Sequence, residues 1–232
     1  MLNFTPLNQP ESLAKMAYNA IRHSILSGEI KINETYNEVH IAKNLGISRT
    51  PVREALLELS SQGLISLLPR KGFIVKKFSN KDIEEIFEIR SAIELATMEK
   101  ISHIASLLEF DTLGEILRSQ SCAAKENAPS KFVELDRSFH VALGKLTDNS
   151  RIEIIMQNIR DYMHLMGLHA VALEGRMDAV VSEHSILLNA VRQGMTMESR
   201  VLMSHHLEQS KAAVLQTYVT SSSHNKSRDT SK

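Results

Sequence analysis

Apolar positions near the start of the chain recur at intervals of three and four. Leu13, Met16, Ala17, Ala20, Ile21 and Ile25 form the stripe of an amphipathic helix, and Gly28 stops it. A second, short helix carries Ile41, Ala42 and Leu45 and ends at Gly46. Ser48 then stands where an N-cap belongs, and Pro51 falls in the first turn, where its missing N–H is harmless. Val52, Ala55, Leu56 and Leu59 supply the inner face of a third helix, closed by Gly63.

The period then changes. Two short β-like runs, Ile65 to Leu68 and Phe73 to Lys77, flank Pro69, Arg70, Lys71 and Gly72, the pattern of a hairpin. Three helices followed by a hairpin define a winged helix-turn-helix, in which the third helix is free to enter a major groove and the hairpin reaches the neighbouring backbone. Past residue 78 the spacing is helical throughout. Ser79 and Asp82 have capping-box spacing ahead of Ile83, Ile86 and Phe87. Further helices are expected at about 110–126, 130–147, 150–170, 175–193 and 196–219. The expected fold is mainly α: a flexible N-terminus over 1–10, a winged helix-turn-helix over 11–78, an all-helical bundle of roughly six helices over 79–219, and a disordered Ser/Lys/Asn-rich tail over 220–232.

Charge sharpens this division. The whole chain of 232 residues is neutral, with 27 basic and 27 acidic side chains. Residues 1–78 nevertheless hold ten bases against six acids, whereas 79–218 hold fourteen against twenty. A basic head on an acidic body places polyanion binding in the head alone. A single cysteine, Cys122, excludes a disulfide framework and any multi-cysteine zinc module, so a reducing, cytoplasmic setting is expected. No apolar run approaches the roughly 18 residues of a membrane span, and Met1 to Pro10 lacks the pattern of a secretory signal.

In the head, Arg49 and Arg53 lie one helical turn apart near the front of the third helix. Their paired donors suit the O6 and N7 acceptors of guanine. Ser48, Thr50 and the free N–H groups of the first turn suit phosphate oxygens, and Arg70, Lys71 and Gly72 form the tip of the hairpin. The stretch GISRTPVREALLELSSQGLI, followed by PRKGFIV, resembles the winged-helix domain of the GntR family of bacterial transcription regulators. Two departures stand out. IKINETY replaces the family's usual Pro-Gly turn, so Ile32-Asn33 must make it, with Asn the next best residue for positive φ. Val39 occupies a position where some members carry a DNA-contacting arginine, and no such role is assigned to it.

In the body, Asp136 and His140 share a helix face with Val133 and Leu143, which points both inward. His184 lies on a stripe with Val180, Leu187 and Val191, and His206 follows near Leu202 and Met203. One carboxylate and three imidazoles inside a bundle suit a borderline divalent cation, zinc first, with nickel and manganese as alternatives. His103 and His164 read instead as hydrogen-bonded core residues. The stretches EIRSAIE, FVELDRSFH, SEHSILLNAV and MSHHL resemble the FCD ligand-binding domain of the FadR subfamily within GntR. In its metal-containing members the matching positions are Asp136, His140, His184 and His206, with His205 as a neighbour that competes for the last place.

Arg90 has two readings: a clamp for an effector carboxylate, or a helix-surface ion pair with Glu94. Together these features point to a homodimeric transcription regulator, not an enzyme, reading an inverted repeat of double-stranded DNA and controlled by a small organic acid at a metal centre. The rival reading is a metal-dependent hydrolase in which the Asp/His₃ site activates water and Glu183 serves as base.

Overall fold

The computed structural model describes residues 11–226, with side chains to 217. These residues form two compact units that divide between Lys77 and Phe78. The expected flexible segment 1–10 lies outside the described residues, as does the tail beyond 226.

The first unit runs α1 (Leu13–Leu26), β1 (Thr35–Tyr36), α2 (Glu38–Leu45), α3 (Arg49–Ser61), β2 (Ile65–Leu68) and β3 (Gly72–Val75). Its core joins Ile21 and Ile25 of α1 to Val52, Leu56 and Leu59 of α3 and to Phe73 and Val75 of the sheet, all buried. The stripe on α1 is rotated from its expected position. Ala17, Tyr18, Ile21 and Ile25 are buried, whereas Leu13 and Met16 are more than half exposed. Tyr18 reaches across to donate a hydrogen bond to Gln62 at 2.8 Å, just past the end of α3. Asn33 takes φ +65°, so the turn that lacks its Pro-Gly pair is made by asparagine as expected.

The hairpin is part of a three-stranded antiparallel sheet in the order β1-β3-β2. β1 escapes a reading of the pattern because two residues show no alternation; its place is set by pairing Tyr36 with Phe73, whose rings stack at 5.9 Å. The final strand ends at Val75, short of Lys77. Gly72, at φ +119°, is where this sheet closes: a Cβ there would lie 1.9 Å from the Tyr36 carbonyl oxygen. Gly72→Ala is therefore expected to destabilise this unit by about 1–3 kcal/mol or more, since backbone strain and a main-chain clash coincide. A urea melt of the variant followed by tyrosine fluorescence measures it.

The second unit contains α4 (Asn80–His103), a 3₁₀ turn (Ala105–Leu107), α5 (Asp111–Lys125), α6 (Pro129–Lys145), α7 (Ser150–Val171), α8 (Arg176–Arg192) and α9 (Thr196–Lys226). The capping box at the start of α4 is complete: Ser79 accepts from the Asp82 N–H, and Asp82 accepts from the Ser79 N–H. α9 continues to Lys226, seven residues beyond the expected end of the body at 219. Extending an existing helix adds one hydrogen bond per residue fixed, so polar composition alone does not stop it.

Helix α4 lies along α9, and α6 packs between α5 and α7. One apolar cluster gathers Met98, Ile101, Leu113, Phe139, Leu187 and Met203. Another gathers Ile83, Phe87, Ile159, Met166 and Val214. On α4 the buried charged residues between these clusters are Arg90 and Glu94. Burying charge is costly unless it is paired, so this polar layer has to be internally matched. Among the described residues, no helix is long and apolar enough to cross a membrane.

Candidate functional site

The structure brings Asp136, His140, His184 and His206 together, with one ligand atom from each within 4.8 Å of all the others. The three imidazoles are buried, while the Asp136 side chain retains 20% exposure. Helix periodicity explains the convergence. Asp136 and His140 are one turn apart on α6, His184 faces them from α8 between Val180 and Leu187, and His206 faces them from α9 beside Met203. Phe139 stacks on the His184 ring at 4.1 Å and fixes its plane. His205 is exposed and lines an outer groove, so it does not share the cluster.

Each histidine is oriented from behind. His140 Nδ1 donates to Glu94 Oε2 at 2.5 Å, His184 Nδ1 to Gln120 Oε1 at 2.9 Å, and His206 Nδ1 to Glu183 Oε2 at 2.6 Å. With Nδ1 protonated, every neutral ring turns a bare Nε2 lone pair toward the common centre. Those of His184 and His206 have no hydrogen-bond partner among the described residues, and that of His140 meets only Arg90 Nη2 at 3.4 Å. Asp136 Oδ1 stands 3.7 Å from His184 Nε2 and 3.9 Å from His140 Nε2. Metal–nitrogen and metal–oxygen bonds of about 2 Å place ligand atoms roughly 3–4 Å apart, so the four groups fit one divalent ion after a small contraction. Acceptors bonded to the far nitrogens are the support such ligands require.

Electrostatics favours the ligating form. Burial pushes the His140 pKa down to about 3, reinforced by Arg160 and opposed by Glu94. Burial and the neighbouring imidazoles push His184 well down; burial also lowers His206 despite its bond to Glu183. For Asp136, burial raises the pKa, but His140, Arg160 and His206 outweigh it and hold it below the ordinary carboxylate value. Neutral imidazoles and an ionised carboxylate are thus the resting state.

A stability consequence follows. Each folded-state histidine has a pKa below its unfolded value of about 6.5, so the unfolded chain takes up protons first and stability falls as pH drops. For His140 that window extends from about 6.5 to about 3. Metal-free protein is expected to lose thermal stability progressively below pH about 6.5, a trend that melting curves from pH 7.5 to 4.5 will measure.

Arg90 departs from the helix-surface reading. Its pair with Glu94 exists, Nε to Oε1 at 2.6 Å, but it is fully buried and not on a helix surface. Arg160 of α7, which sequence reasoning missed, also bonds Glu94 and approaches Asp136 Oδ2 at 3.5 Å. Arg90 Nη1 has no partner among the described residues, and Arg90 and Asp136 together line a cavity of about 40 Å³. Glu183 is committed on both oxygens, to His206 and to Arg176, so it is not a free base of the kind the hydrolase reading needs. His103 is exposed, with Nδ1 held by its own helix at the Glu99 carbonyl, because it sits in the last turn of α4 and not in the core.

In the first unit, Arg49, Arg53 and Arg70 line one groove of about 470 Å³ formed by α2, α3 and the sheet. Arg49 pairs with Glu38 of α2, a contact the sequence reading did not include. Gly72 lies on the same groove, while Ser48, Thr50 and Lys71 are exposed nearby. Ser48 is the N-cap of α3 but makes no capping side-chain bond, which leaves its hydroxyl free of that role. Val39, Leu57 and Leu67 add exposed apolar surface to this groove.

Comparison with known proteins agrees with both halves. Residues 13–75 match the family of bacterial regulatory proteins, gntR family, and residues 85–209 match the FCD domain. The chain belongs to the GntR family, with an N-terminal DNA-binding helix-turn-helix and a C-terminal FCD domain, and is a transcription regulator of that class. It is 26% identical to the HTH-type transcriptional repressor RspR of Escherichia coli K12, over 91% of this chain and 93% of the relative. It is 28% identical to the gluconate operon transcriptional repressor of Bacillus subtilis, over 88% and 83%. The fold matches that of a GntR regulator from Rhodococcus sp. RHA1 with TM-score 0.79 at 21% identity, covering 90% of this chain and all of that one. These homologues are transcription regulators, not enzymes.

Proposed function

We propose that the chain is a cytoplasmic, dimeric repressor whose operator affinity is set by a small carboxylate bound beside a divalent metal ion. Asp136, His140, His184 and His206 hold the ion, with zinc favoured by the three-imidazole, one-carboxylate donor set and nickel or manganese as alternatives. The ion supplies Lewis acidity and positive charge when bound. This chain's own residues do the rest: Glu94, Gln120 and Glu183 orient the imidazoles, and Arg90 presents an unshared N–H to the cavity.

The observation that carries the reading is the charge balance around that cavity. Arg90, Arg160 and Arg176 are matched by Glu94, Asp136 and Glu183. With the histidines neutral, the two charges of the ion are uncompensated, and an anion is the ligand that compensates them. Two copies would present Arg49 and Arg53 to the two halves of an inverted repeat, with Ser48, Thr50, Arg70, Lys71 and Gly72 at the backbone. Differential binding of the effector to two arrangements of the dimer then alters DNA affinity.

DNase footprinting of the region upstream of the protein's own gene tests this. Zinc-loaded protein is expected to protect an inverted repeat and to release it on addition of small carboxylates. Absence of any protected repeat across a range of salt concentrations would overturn the regulatory reading.

A further inference from the structure

The cavity beside the metal ligands is lined by two chemically distinct sets of residues. Arg90, Asp136, Arg176 and Ser210 form the polar one, with Arg176 Nη2 donating to Ser210 Oγ at 3.1 Å. The rest of the lining, which includes Val133, Met163, Gly167, Val171, Val180 and Val214, carries no hydrogen-bonding side chain. Gly167 is the informative member. It sits inside α7, where glycine costs about 1 kcal/mol relative to alanine, and it is buried. Yet a Cβ built on it meets no heavy atom within 4 Å. Packing against a neighbouring helix therefore does not account for the missing side chain; the space above it belongs to the cavity.

We propose that this cavity takes a short aliphatic carboxylate, its head at Arg90 and the metal and its hydrocarbon body against Gly167 and the valines, in preference to a polyhydroxylated sugar acid. The proposal rests on the carboxylate-sensing reading above and specifies the body of the ligand. Hydroxyl groups placed against Val133, Val171 and Val180 would lose water and gain no partner, a penalty that strongly rejects them. Methylene groups there gain affinity at about fourfold each. The small volume of about 40 Å³ restricts the body to a few carbons, and Met163, flexible and unbranched, is the wall that yields to admit them.

Calorimetric titration of the zinc-loaded full chain with acetate, propanoate, butanoate and D-gluconate tests the idea. Affinity is expected to rise on the order of tenfold from acetate to butanoate, with gluconate weaker than acetate. In Gly167→Leu, butanoate should lose on the order of tenfold or more of its affinity, more than acetate loses, while the zinc content stays unchanged. Gly167→Ala, a milder filling that favours the helix, should show a smaller loss in the same direction and guards against misfolding of the larger variant. Gluconate binding as tightly as butanoate, or butanoate binding undiminished in both variants, would overturn this proposal alone. If no carboxylate of any length binds the zinc-loaded chain, the carboxylate-sensing reading fails together with it.

Discussion

Replacing both Arg49 and Arg53 by alanine is expected to erase preference for the operator while leaving weak, salt-sensitive attachment to any duplex. Both side chains are exposed on the outer face of α3 and line the groove that Arg70 closes from the sheet. The inner face, Val52, Ala55, Leu56 and Leu59, is buried and untouched by the change, so the unit keeps its core. A bidentate arginine–guanine pair discriminates by about 1–3 kcal/mol, and two of them by about 2–6, a hundredfold or more at the centre of that range. Arg70→Ala should instead lower affinity for all sequences together and reduce the salt dependence by roughly one counterion. Fluorescence anisotropy with operator and scrambled duplexes at two salt concentrations separates these outcomes. Retained preference in a double variant with native circular dichroism would remove base readout from α3.

The pairing of Arg49 with Glu38 refines this expectation. Glu38 opens α2, and its carboxylate holds the Arg49 guanidinium in the free protein. Binding to guanine exchanges that partner for a base edge, so part of the arginine's interaction energy is spent before DNA arrives. Alanine at 49 alone should consequently cost less than alanine at 53, whose guanidinium has no such carboxylate partner among the described residues.

The parts of the molecule that were legible in the sequence are those fixed by local chemistry. Ser79 and Asp82 announce the start of α4 because a capping box closes within four residues. The four converging groups were legible because Asp136 and His140 share a helix face and the other two histidines lie on apolar stripes, where a polar group has to point inward. What stayed hidden depends on distant partners. Arg160 and Gln120 look like ordinary polar residues of their helices; only the packing of α7 and α5 against the others turns them toward Glu94 and His184. Arg90 and Glu94 have the spacing of a solvent-facing pair, and nothing local distinguishes that from the buried pair observed. β1 belongs to the same category, since two residues carry no period and Phe73 supplies the partner.

Removing the metal from the full chain is expected to lower the melting temperature of the helical unit by about 10 °C. A ligand present at a thousand times its Kd stabilises by about 4 kcal/mol, and a domain of roughly 150 residues shifts by about 2–4 °C per kcal/mol. The sign follows from the geometry: His184 and His206 turn partnerless Nε2 atoms into a buried space, and without an ion those lone pairs have been stripped of water with nothing in return. His184→Ala should abolish the difference between zinc-loaded and chelator-treated protein, because one of four ligands is gone. Gln120→Ala, which touches no ligating atom, should preserve binding but weaken it by about 10–100-fold, since the His184 ring then loses the acceptor that fixes its tautomer. Metal analysis and calorimetry on the three proteins read these grades directly. A chelator that leaves both the melting temperature and the metal content of the wild-type chain unchanged would mean that the four groups are matched by protons or water, and the anion would then lose the charge that calls it into the cavity.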